Sequence, residues 1–452
     1  MALQTGERSL SRTPGRAPRF TRAAAMATLS AGEVGMRGRW RLVLVVACVV
    51  ACGGERPPPE VALDEAPAPA LPVTPARPPP GEPPPPVEPP PPPPPQRFQP
   101  AFHQALRWTH WEGELTTYRL RVPVGRAGGR VRLTFRAGEG SLQLQRVLLA
   151  RAGEGDSLLS APVPVTFAGQ AGARVDAEGR VQSDALPFAL AVGEELYVTF
   201  EARGALAASA IGALPGSRVR AGAHAHAEGA LGGSSWRRAV ALATLEVEGI
   251  EGPAVVAVGD SITEGYLDGA DDVRKAWPGV AQAALGVPVL NAGVSGQGLW
   301  AALEHLDEEV LALEGVTDCV VLLGTNDLGA DEDSRELRAQ LAELFTRLKP
   351  LCTVWAATLL PKEKSNHSSY EVVRTQRLVV NRWLREEAGA AGLIHGLIDL
   401  EAVTRSEQSV HLFAEGLGAD GIHPTVRGQR VMGEEVARVL REAGVQPPQP
   451  SP

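Results

Sequence analysis

The chain has 452 residues, 44% of them hydrophobic, so it is long enough to form more than one domain with a buried core. Its 44 Lys and Arg are outnumbered by 52 Asp and Glu, which gives a formal net charge of −8 at pH 7. Beyond the N-terminus no block of basic residues stands out. We therefore expect no nucleic-acid partner, because such binding needs a basic surface.

The N-terminal segment has the pattern of an export signal. In MRGRWRLVLVVACVVACGG, which starts at Met36, three arginines precede an apolar run at 42–51 that is too short to span a bilayer. The stretch VVAC that ends at Cys52 resembles the lipobox of bacterial lipoproteins, which implies cleavage before this cysteine and lipid attachment to its thiol. An ordinary cleaved signal or a short membrane anchor is the alternative. We expect a leader and signal peptide at 1–52, of which 1–35 is either an extended leader or an upstream mis-start.

A proline-rich segment follows at 53–100 and holds more than half of the 39 prolines of the chain. It cannot form a core and is expected to be a disordered, extended linker. The protein is then extracytoplasmic, either as a membrane-anchored lipoprotein that faces the periplasm or the cell surface, or as a secreted protein.

Residues 101–250 show apolar residues at every second position, separated by glycine-rich breaks. VRLTFR at 131–136 and LYVTFE at 196–201 are two examples. Short alternating strands with turn signals predict an antiparallel β-sandwich or jelly roll, here called the β-domain. Its one cluster of possible metal ligands is AHAHAE, and a solvated loop or strand face is the favoured interpretation of that cluster. The residues concerned are His224, His226 and Glu228.

From 251 to 445 strands and helices alternate, which predicts right-handed crossovers and a parallel sheet in a three-layer α/β domain. A tail is expected at 446–452. The predicted strands are 254–258, 287–291, 319–323, 353–358 and 397–400, and the predicted helices are 273–285, 299–313, 334–348, 371–388 and one after Pro424. The acidic run EHLDEE around His305 is predicted to be a solvated helix face. Cys319 and Cys352 open two neighbouring strands, where buried free thiols are favoured over a disulfide.

Polar residues follow the first three of these strands. They are Gly259-Asp260-Ser261, a glycine-rich loop that includes Gly293 and Gly296, and Gly324-Thr325-Asn326-Asp327. With the strand order 2-1-3-4-5 all three turns meet at the carboxyl edge of the sheet, where ligands bind. Ester hydrolysis by a serine needs a base, a group that orients the base and oxyanion donors. His423 is the best candidate for the base, because DGIHP places Asp420 three residues before it.

These four blocks, in this order, resemble the SGNH or GDSL hydrolases, with Ile262 where the family motif often has Leu. The resemblance implies a flavodoxin-like α/β/α domain with a five-stranded parallel sheet. It implies that Ser261 is the nucleophile, His423 the base and Asp420 its orienting carboxylate. It also implies an oxyanion hole of the Ser261 and Gly296 N–H groups with the Asn326 amide.

The β-domain is in turn similar to the domain that precedes the catalytic domain in a subgroup of secreted bacterial GDSL esterases. We therefore expect an exported serine esterase that hydrolyses short acyl esters, for example acetyl esters on carbohydrate, with no metal or organic cofactor. Trp300 is a candidate for lining an acyl or sugar subsite. Two alternatives stay open, namely a sugar O-acyltransferase with the same triad and a catalytically silent glycan-binding surface lipoprotein.

Overall fold

The computed structural model describes residues 96–329, 334–364 and 369–448. The predictions for the leader, for Cys52, for most of the linker and for the end of the tail fall outside these residues. Both sheets of the described part belong to one compact unit. Among the helices described, none combines the length and the apolar character that crossing a bilayer would require.

Eleven antiparallel strands build the β-domain. They are β1 Gln96–His103, β2 Trp108–Pro123, β3 Gly128–Arg151, β4 Val163–Val165, β5 Ala173–Val175, β6 Arg180–Gln182, β7 Leu186–Leu190, β8 Glu195–Ala208, β9 Ser217–Ala221, β10 Ser234–Trp236 and β11 Leu242–Ile250. The order across the sheet is β1-β11-β3-β8-β2-β9-β10, and β4 to β7 pair along β3. Strand β1 thus begins within the segment that the sequence assigned to the linker.

The long strand β3 divides the β-domain into two layers. Its register shifts between Ala137 and Leu142, so that its first half pairs with β11 and its second half with β8. Both halves contribute side chains to one core, in which the rings of Phe135 and Phe200 lie 5.4 Å apart. The predicted sandwich is confirmed.

The alternating residues of LYVTFE are all buried in β8. Tyr197, Thr199 and Glu201 are 0%, 3% and 2% exposed. Strand β8 lies between β3 and β2, and Arg119 of β2 covers its outer face by donating to Thr199 Oγ1 over 3.1 Å. A central strand that is covered on both faces loses the period-two burial pattern.

The second sheet has five parallel strands in the order β13-β12-β14-β15-β16, which is the predicted order. Its strands are β12 Val255–Gly259, β13 Val289–Gly293, β14 Asp318–Leu322, β15 Thr353–Ala357 and β16 Gly396–Ile398. The helices are α1 Ser261–Glu264, α2 Trp277–Leu285, α3 Leu299–Glu304, α4 Arg335–Leu348, α5 Tyr370–Trp383, α6 Leu400–Thr404 and α7 Val426–Glu442.

Three predicted helices differ in extent from those observed. Helix α2 begins at Trp277 rather than at 273, with Pro278 in the first turn, where its missing N–H costs nothing. The helix predicted at 299–313 ends at Glu304 and is followed by a π-helical turn, Asp307–Leu311. Helix α5 likewise runs into a π-helical turn, Leu384–Ala388.

The acidic run EHLDEE is only partly solvated, since its last glutamate is buried. Glu309 is 5% exposed and its Oε1 accepts a hydrogen bond from Arg136 Nη1 of β3 at 2.8 Å, while Glu308 also pairs with this guanidinium. The β-domain covers this turn and supplies the cation that a buried carboxylate needs. The prediction of a solvated face is therefore wrong for Glu309, while Glu304 and Asp307 are exposed as expected.

The β-domain docks along β13, the edge strand of the parallel sheet. Just beyond β1, Ala105 N–H donates to Asn291 O of β13 at 2.9 Å. Val273 N–H donates to Ala213 O at 2.8 Å, and Arg126 Nη2 donates to Pro253 O at 2.6 Å. Backbone hydrogen bonds and a buried guanidinium therefore fix this contact.

Cys319 and Cys352 form a disulfide, with their Cα atoms 5.8 Å apart. This corrects the preference for free thiols. Cys319 lies in β14, where it pairs with Val354 of β15, and Cys352 directly precedes β15, so the two side chains start from adjacent strands. Such a separation is within the range that a disulfide spans.

Replacing both cysteines by alanine is expected to lower the free energy of unfolding by about 2–4 kcal/mol, because the cross-link restricts the unfolded chain. Urea unfolding followed by circular dichroism measures this. The wild type in reducing buffer is the control, and its transition should move to that of the variant. A wild-type transition that reductant leaves unchanged would contradict the bond.

Candidate active site

The turn from β12 into α1 places Ser261 at the first position of a helix. Asp260 caps this helix, since its Oδ1 accepts the N–H of Ile262 at 2.9 Å. A Cβ on Gly259 would lie only 2.1 Å from Thr263 Oγ1, so glycine alone fits before the cap. Ser261 is 8% exposed. The Gly-Asp-Ser sequence thus corresponds to a tight turn that aims a serine at the carboxyl edge of the sheet.

A continuous hydrogen-bonded chain joins Ser261, His423 and Asp420. Ser261 Oγ lies 2.8 Å from His423 Nε2, and His423 Nδ1 lies 2.9 Å from Asp420 Oδ2. The other oxygen of Asp420 accepts the N–H groups of Ile422 and His423 at 2.9 and 2.8 Å. The structure therefore brings together the three residues that the sequence placed in a triad.

Asp420 carries a negative charge in this chain. Partial burial alone would raise its pKa, but hydrogen bonds from the His423 N–H, the His423 ring and the Ile422 N–H outweigh it and lower the pKa to about 2. An ionised Asp420 can only accept, so it takes a hydrogen bond from Nδ1–H of the neutral imidazole, and Nε2 is then the accepting nitrogen of the ring. Nε2 can then receive the hydroxyl proton of Ser261.

The predicted oxyanion donors lie in loops that hydrogen bonds tie to this turn. Gly259 O accepts the N–H of Val294 at 3.0 Å, and Asn326 Nδ2 donates to Gln297 O at 2.9 Å. One of the two N–H groups of the Asn326 amide is thereby used, and the amide has a second donor. Gly296 has φ +79°, a backbone conformation that favours glycine. The Ser261 N–H, at the start of α1, precedes the hydrogen bonds of the helix.

Two residues near the triad were not singled out from the sequence. The ring of Tyr266 packs on the His423 ring, with the centroids 4.4 Å apart. Lys362, beyond β15 and 2% exposed, donates from Nζ to Thr325 O at 2.7 Å, next to Asn326. Burial lowers the pKa of Lys362. No local sequence pattern marks either residue. Both follow the exit of a parallel strand, Tyr266 after β12 and Lys362 after β15, and that position is the signal that could have identified them.

Asp260 directly precedes Ser261 and is 1% exposed. Burial raises its pKa to about 7; the nearby charge of Asp327 acts in the same direction, while Lys362 opposes it. Both carboxyls and the lysine lie at the exits of β12, β14 and β15. Buried ionisable groups thus surround the turn that carries Ser261.

Glu264, at the end of α1, is also missing from the sequence-based candidates. It is 1% exposed, and its carboxylate accepts N–H groups from two different loops. Burial raises its pKa to about 7, against the effect of these hydrogen bonds. A glutamate in a short helical stretch gives no sequence signal of such burial.

The remaining candidates are placed as follows. Trp300 is 68% exposed in the first turn of α3. His224 and His226 lie in a loop after β9, together with Glu228, which agrees with the favoured interpretation. Within the ranges that the structure describes, no group of three His, Cys, Asp or Glu side chains could hold a metal ion.

Comparison with known proteins gives one family match. Residues 257–431 match the model of the GDSL-like lipase/acylhydrolase family. The matched segment includes Ser261, Gly296, Asn326, Asp420 and His423. Among the curated proteins no sequence matches this chain.

Several solved structures are similar to part of the chain. A lipase/acylhydrolase from Enterococcus faecalis is 28% identical, with a TM-score of 0.34 over 44% of this chain and 100% of that one. An acetylxylan esterase from Geobacillus stearothermophilus is 19% identical, with a TM-score of 0.33 over 42% and 94%. A GDSL-like lipase from Bacteroides thetaiotaomicron is 20% identical, with a TM-score of 0.35 over 42% and 88%.

At these TM-scores the solved structures add nothing to the family match. The match itself covers the serine turn, the loops with the predicted oxyanion donors and the turn that holds the histidine. Residues 257–431 therefore belong to the GDSL-like lipase/acylhydrolase family, and the protein is a carboxylic ester hydrolase.

Proposed function

We propose that the protein is an exported serine esterase that removes short acyl groups, such as acetyl, from carbohydrate. The observation that carries this proposal is the hydrogen-bonded chain from Ser261 through His423 to Asp420 at the carboxyl edge of the parallel sheet. A nucleophile, a base and an orienting carboxylate are the groups that acyl transfer to a serine requires.

In the proposed reaction, His423 Nε2 takes the hydroxyl proton as Ser261 Oγ attacks the ester carbonyl. The negative charge that develops on the carbonyl oxygen is stabilised by the N–H groups of Ser261 and Gly296 and by the Asn326 amide. His423 then gives its proton to the leaving alcohol. Water, activated by the same histidine, hydrolyses the acyl-enzyme, while ionised Asp420 stabilises the imidazolium in both halves.

The shallow setting of the triad favours a short acyl group on a large alcohol. The Asp420 side chain is 42% exposed and that of His423 is 17% exposed. No triad residue lines any of five cavities found in the described part of the chain, which include the best-formed ones. A long acyl chain needs an enclosed apolar tunnel, whereas a sugar ring can rest on an open surface.

The charges around the site favour a neutral substrate. Partial burial and the carboxylates of Asp268, Asp420 and Asp271 together raise the pKa of the Tyr266 hydroxyl. These carboxylates would repel an anionic lipid headgroup, but they would not repel a neutral acylated sugar. Trp300, a large exposed aromatic side chain, is the residue we assign to contact with a sugar ring.

Export is part of the proposal and rests on two independent features. One is the signal-like segment at 36–52 with Cys52 as the lipid attachment site. The other is the disulfide between Cys319 and Cys352, since disulfides persist in oxidising compartments and are rare in the cytosol.

Ser261→Ala is expected to lower kcat for nitrophenyl acetate by about three orders of magnitude or more, because the acyl-enzyme cannot form. The measurement is steady-state hydrolysis by a protein that starts after Cys52. Ser235→Ala, which removes an exposed hydroxyl in β10 of the β-domain, is the control and should keep most activity. Equal rates for Ser261→Ala and the wild type would contradict the role of this serine.

Asp420→Asn is expected to lower kcat by about a thousandfold or more throughout the range from about pH 5 to 9. The low pKa of Asp420 keeps the wild-type carboxylate charged over this whole range, so the loss of kcat in the variant should be similar at every pH within it. A pH profile of kcat tests this. Recovery of wild-type turnover at either end of the range would contradict the role of a permanently ionised Asp420.

Acyl-chain selectivity provides a separate test of the substrate. An acyl tunnel would increase kcat/KM roughly fourfold per buried methylene, given about 0.8 kcal/mol for each. Without a tunnel, nitrophenyl acetate should be hydrolysed at least as efficiently as the butyrate and octanoate esters. A strong preference for octanoate would overturn the short-acyl assignment and favour lipid esters.

A further inference from the structure

Glu264 joins the β-domain to the loop that carries a proposed oxyanion donor. Its Oε1 accepts the N–H groups of Ala210 and Ile211, in the segment after β8, at 2.9 and 3.3 Å. Its Oε2 accepts the N–H of Ser295 at 2.6 Å. Ser295 directly precedes Gly296, so one buried carboxylate contacts the β-domain on one side and the oxyanion loop on the other.

The position of Glu264 is unfavourable for a carboxylate unless these donors are present. It lies in the four-residue helix α1, where it is 1% exposed. A buried carboxylate without hydrogen bonds would cost several kcal/mol. The three backbone donors compensate for this cost, and two of them come from the β-domain.

The surrounding backbone holds the loop at the same place. A Cβ on Gly293 would lie 2.3 Å from the Glu264 N atom, so β13 and α1 are in direct contact there. Asn291 Nδ2 donates to Thr263 O at 2.9 Å, and Asn291 Oδ1 accepts the Gly293 N–H at 2.9 Å. These contacts fix the base of the loop, and beyond Gly293 the Glu264 carboxylate reaches the residue next to Gly296.

We propose that Glu264 is a positioning residue through which the β-domain holds the Ser295–Gly296 peptide in the orientation that oxyanion stabilisation requires. This inference rests on the proposed function of Ser261 and Gly296. It gives the β-domain a role in catalysis that is separate from any contact with substrate. Glu264 itself does not touch the reacting atoms, and it acts through the backbone of Ser295.

The test is Glu264→Gln in the protein that starts after Cys52. An amide has only one accepting oxygen. In this variant the NH₂ group lies opposite either the N–H of Ser295 or the N–H groups of the β-domain, so the hydrogen bond on that side is lost. Removing one oxyanion donor lowers kcat by about 10²–10³-fold in other hydrolases, and a misplaced donor should cost about tenfold to a hundredfold here. The KM for nitrophenyl acetate should change little, because the oxyanion forms only in the transition state.

Glu309→Gln is the matched control. Glu309 is also a buried carboxylate at the contact with the β-domain, but its carboxylate accepts from the Arg136 guanidinium rather than from the N–H of Ser295. Arg136 keeps Glu308 as a partner in this variant. Glu309→Gln should retain wild-type kcat per active site, with active sites counted by covalent titration with a serine-reactive phosphonate. Counting sites in this way removes any effect of partial unfolding.

Phenylboronic acid supplies a readout that a purely structural role would not change. It forms a tetrahedral adduct on the serine with an oxygen in the oxyanion hole, so its inhibition constant should rise in Glu264→Gln by the same factor by which kcat/KM falls. Wild-type kcat and boronate inhibition in this variant would overturn the positioning role. An active Ser261→Ala protein would instead overturn the proposed function, so the two failures are distinguishable.

Discussion

The packing around Gly259 is the constraint on which the site depends. A Cβ at this residue would approach Thr263 Oγ1 to 2.1 Å and Leu322 O to 2.6 Å. Its carbonyl accepts hydrogen bonds from Val294 N and from Gln297 Nε2 at 3.0 and 3.3 Å. One residue without a side chain therefore holds together β12, β14 and the loop after β13. Ser261, two residues further on, therefore has a fixed position relative to β14 and to the loop after β13.

The part of the site that the sequence predicts is the part with local or topological causes. Asp420 and His423 are three residues apart, so a tight turn explains their contact without knowledge of the fold. Ser261 and Asn326 follow apolar runs, and parallel strands bring such exits to one edge whenever the strand order is 2-1-3-4-5. These residues needed only the strand pattern and the chemistry of ester cleavage.

The residues that were missed owe their roles to burial by distant segments. Glu264, Lys362 and Glu309 are charged side chains, which are ordinarily solvated, and each is buried by a segment far away in sequence. The disulfide has the same origin, because bonding between Cys319 and Cys352 depends on the register of β14 against β15. Sequence periodicity predicts that strands exist, but it contains no information on which loop covers which charge.

The placement of the β-domain follows from the edge of the parallel sheet. Strand β13 lies at that edge, and an uncovered edge strand exposes unpaired backbone groups. The segment after β1 covers it through the hydrogen bond from Ala105 N to Asn291 O. The same strand leads directly into the loop with Gly296, so a domain that shields β13 necessarily lies beside a proposed oxyanion donor.

This geometry favours a view of the β-domain as a structural part of the catalytic unit rather than as an independent module. An independent module would be joined to its neighbour mainly by exposed polar contacts, whereas here Arg136, Glu309 and Glu264 are all buried at the contact. Separating the two would break the Arg136–Glu309 ion pair and remove two of the three N–H donors of Glu264. The β-domain therefore supplies hydrogen-bond partners to buried carboxylates of the α/β domain, and one of these, Glu264, also accepts the N–H of Ser295 beside the proposed oxyanion donor Gly296.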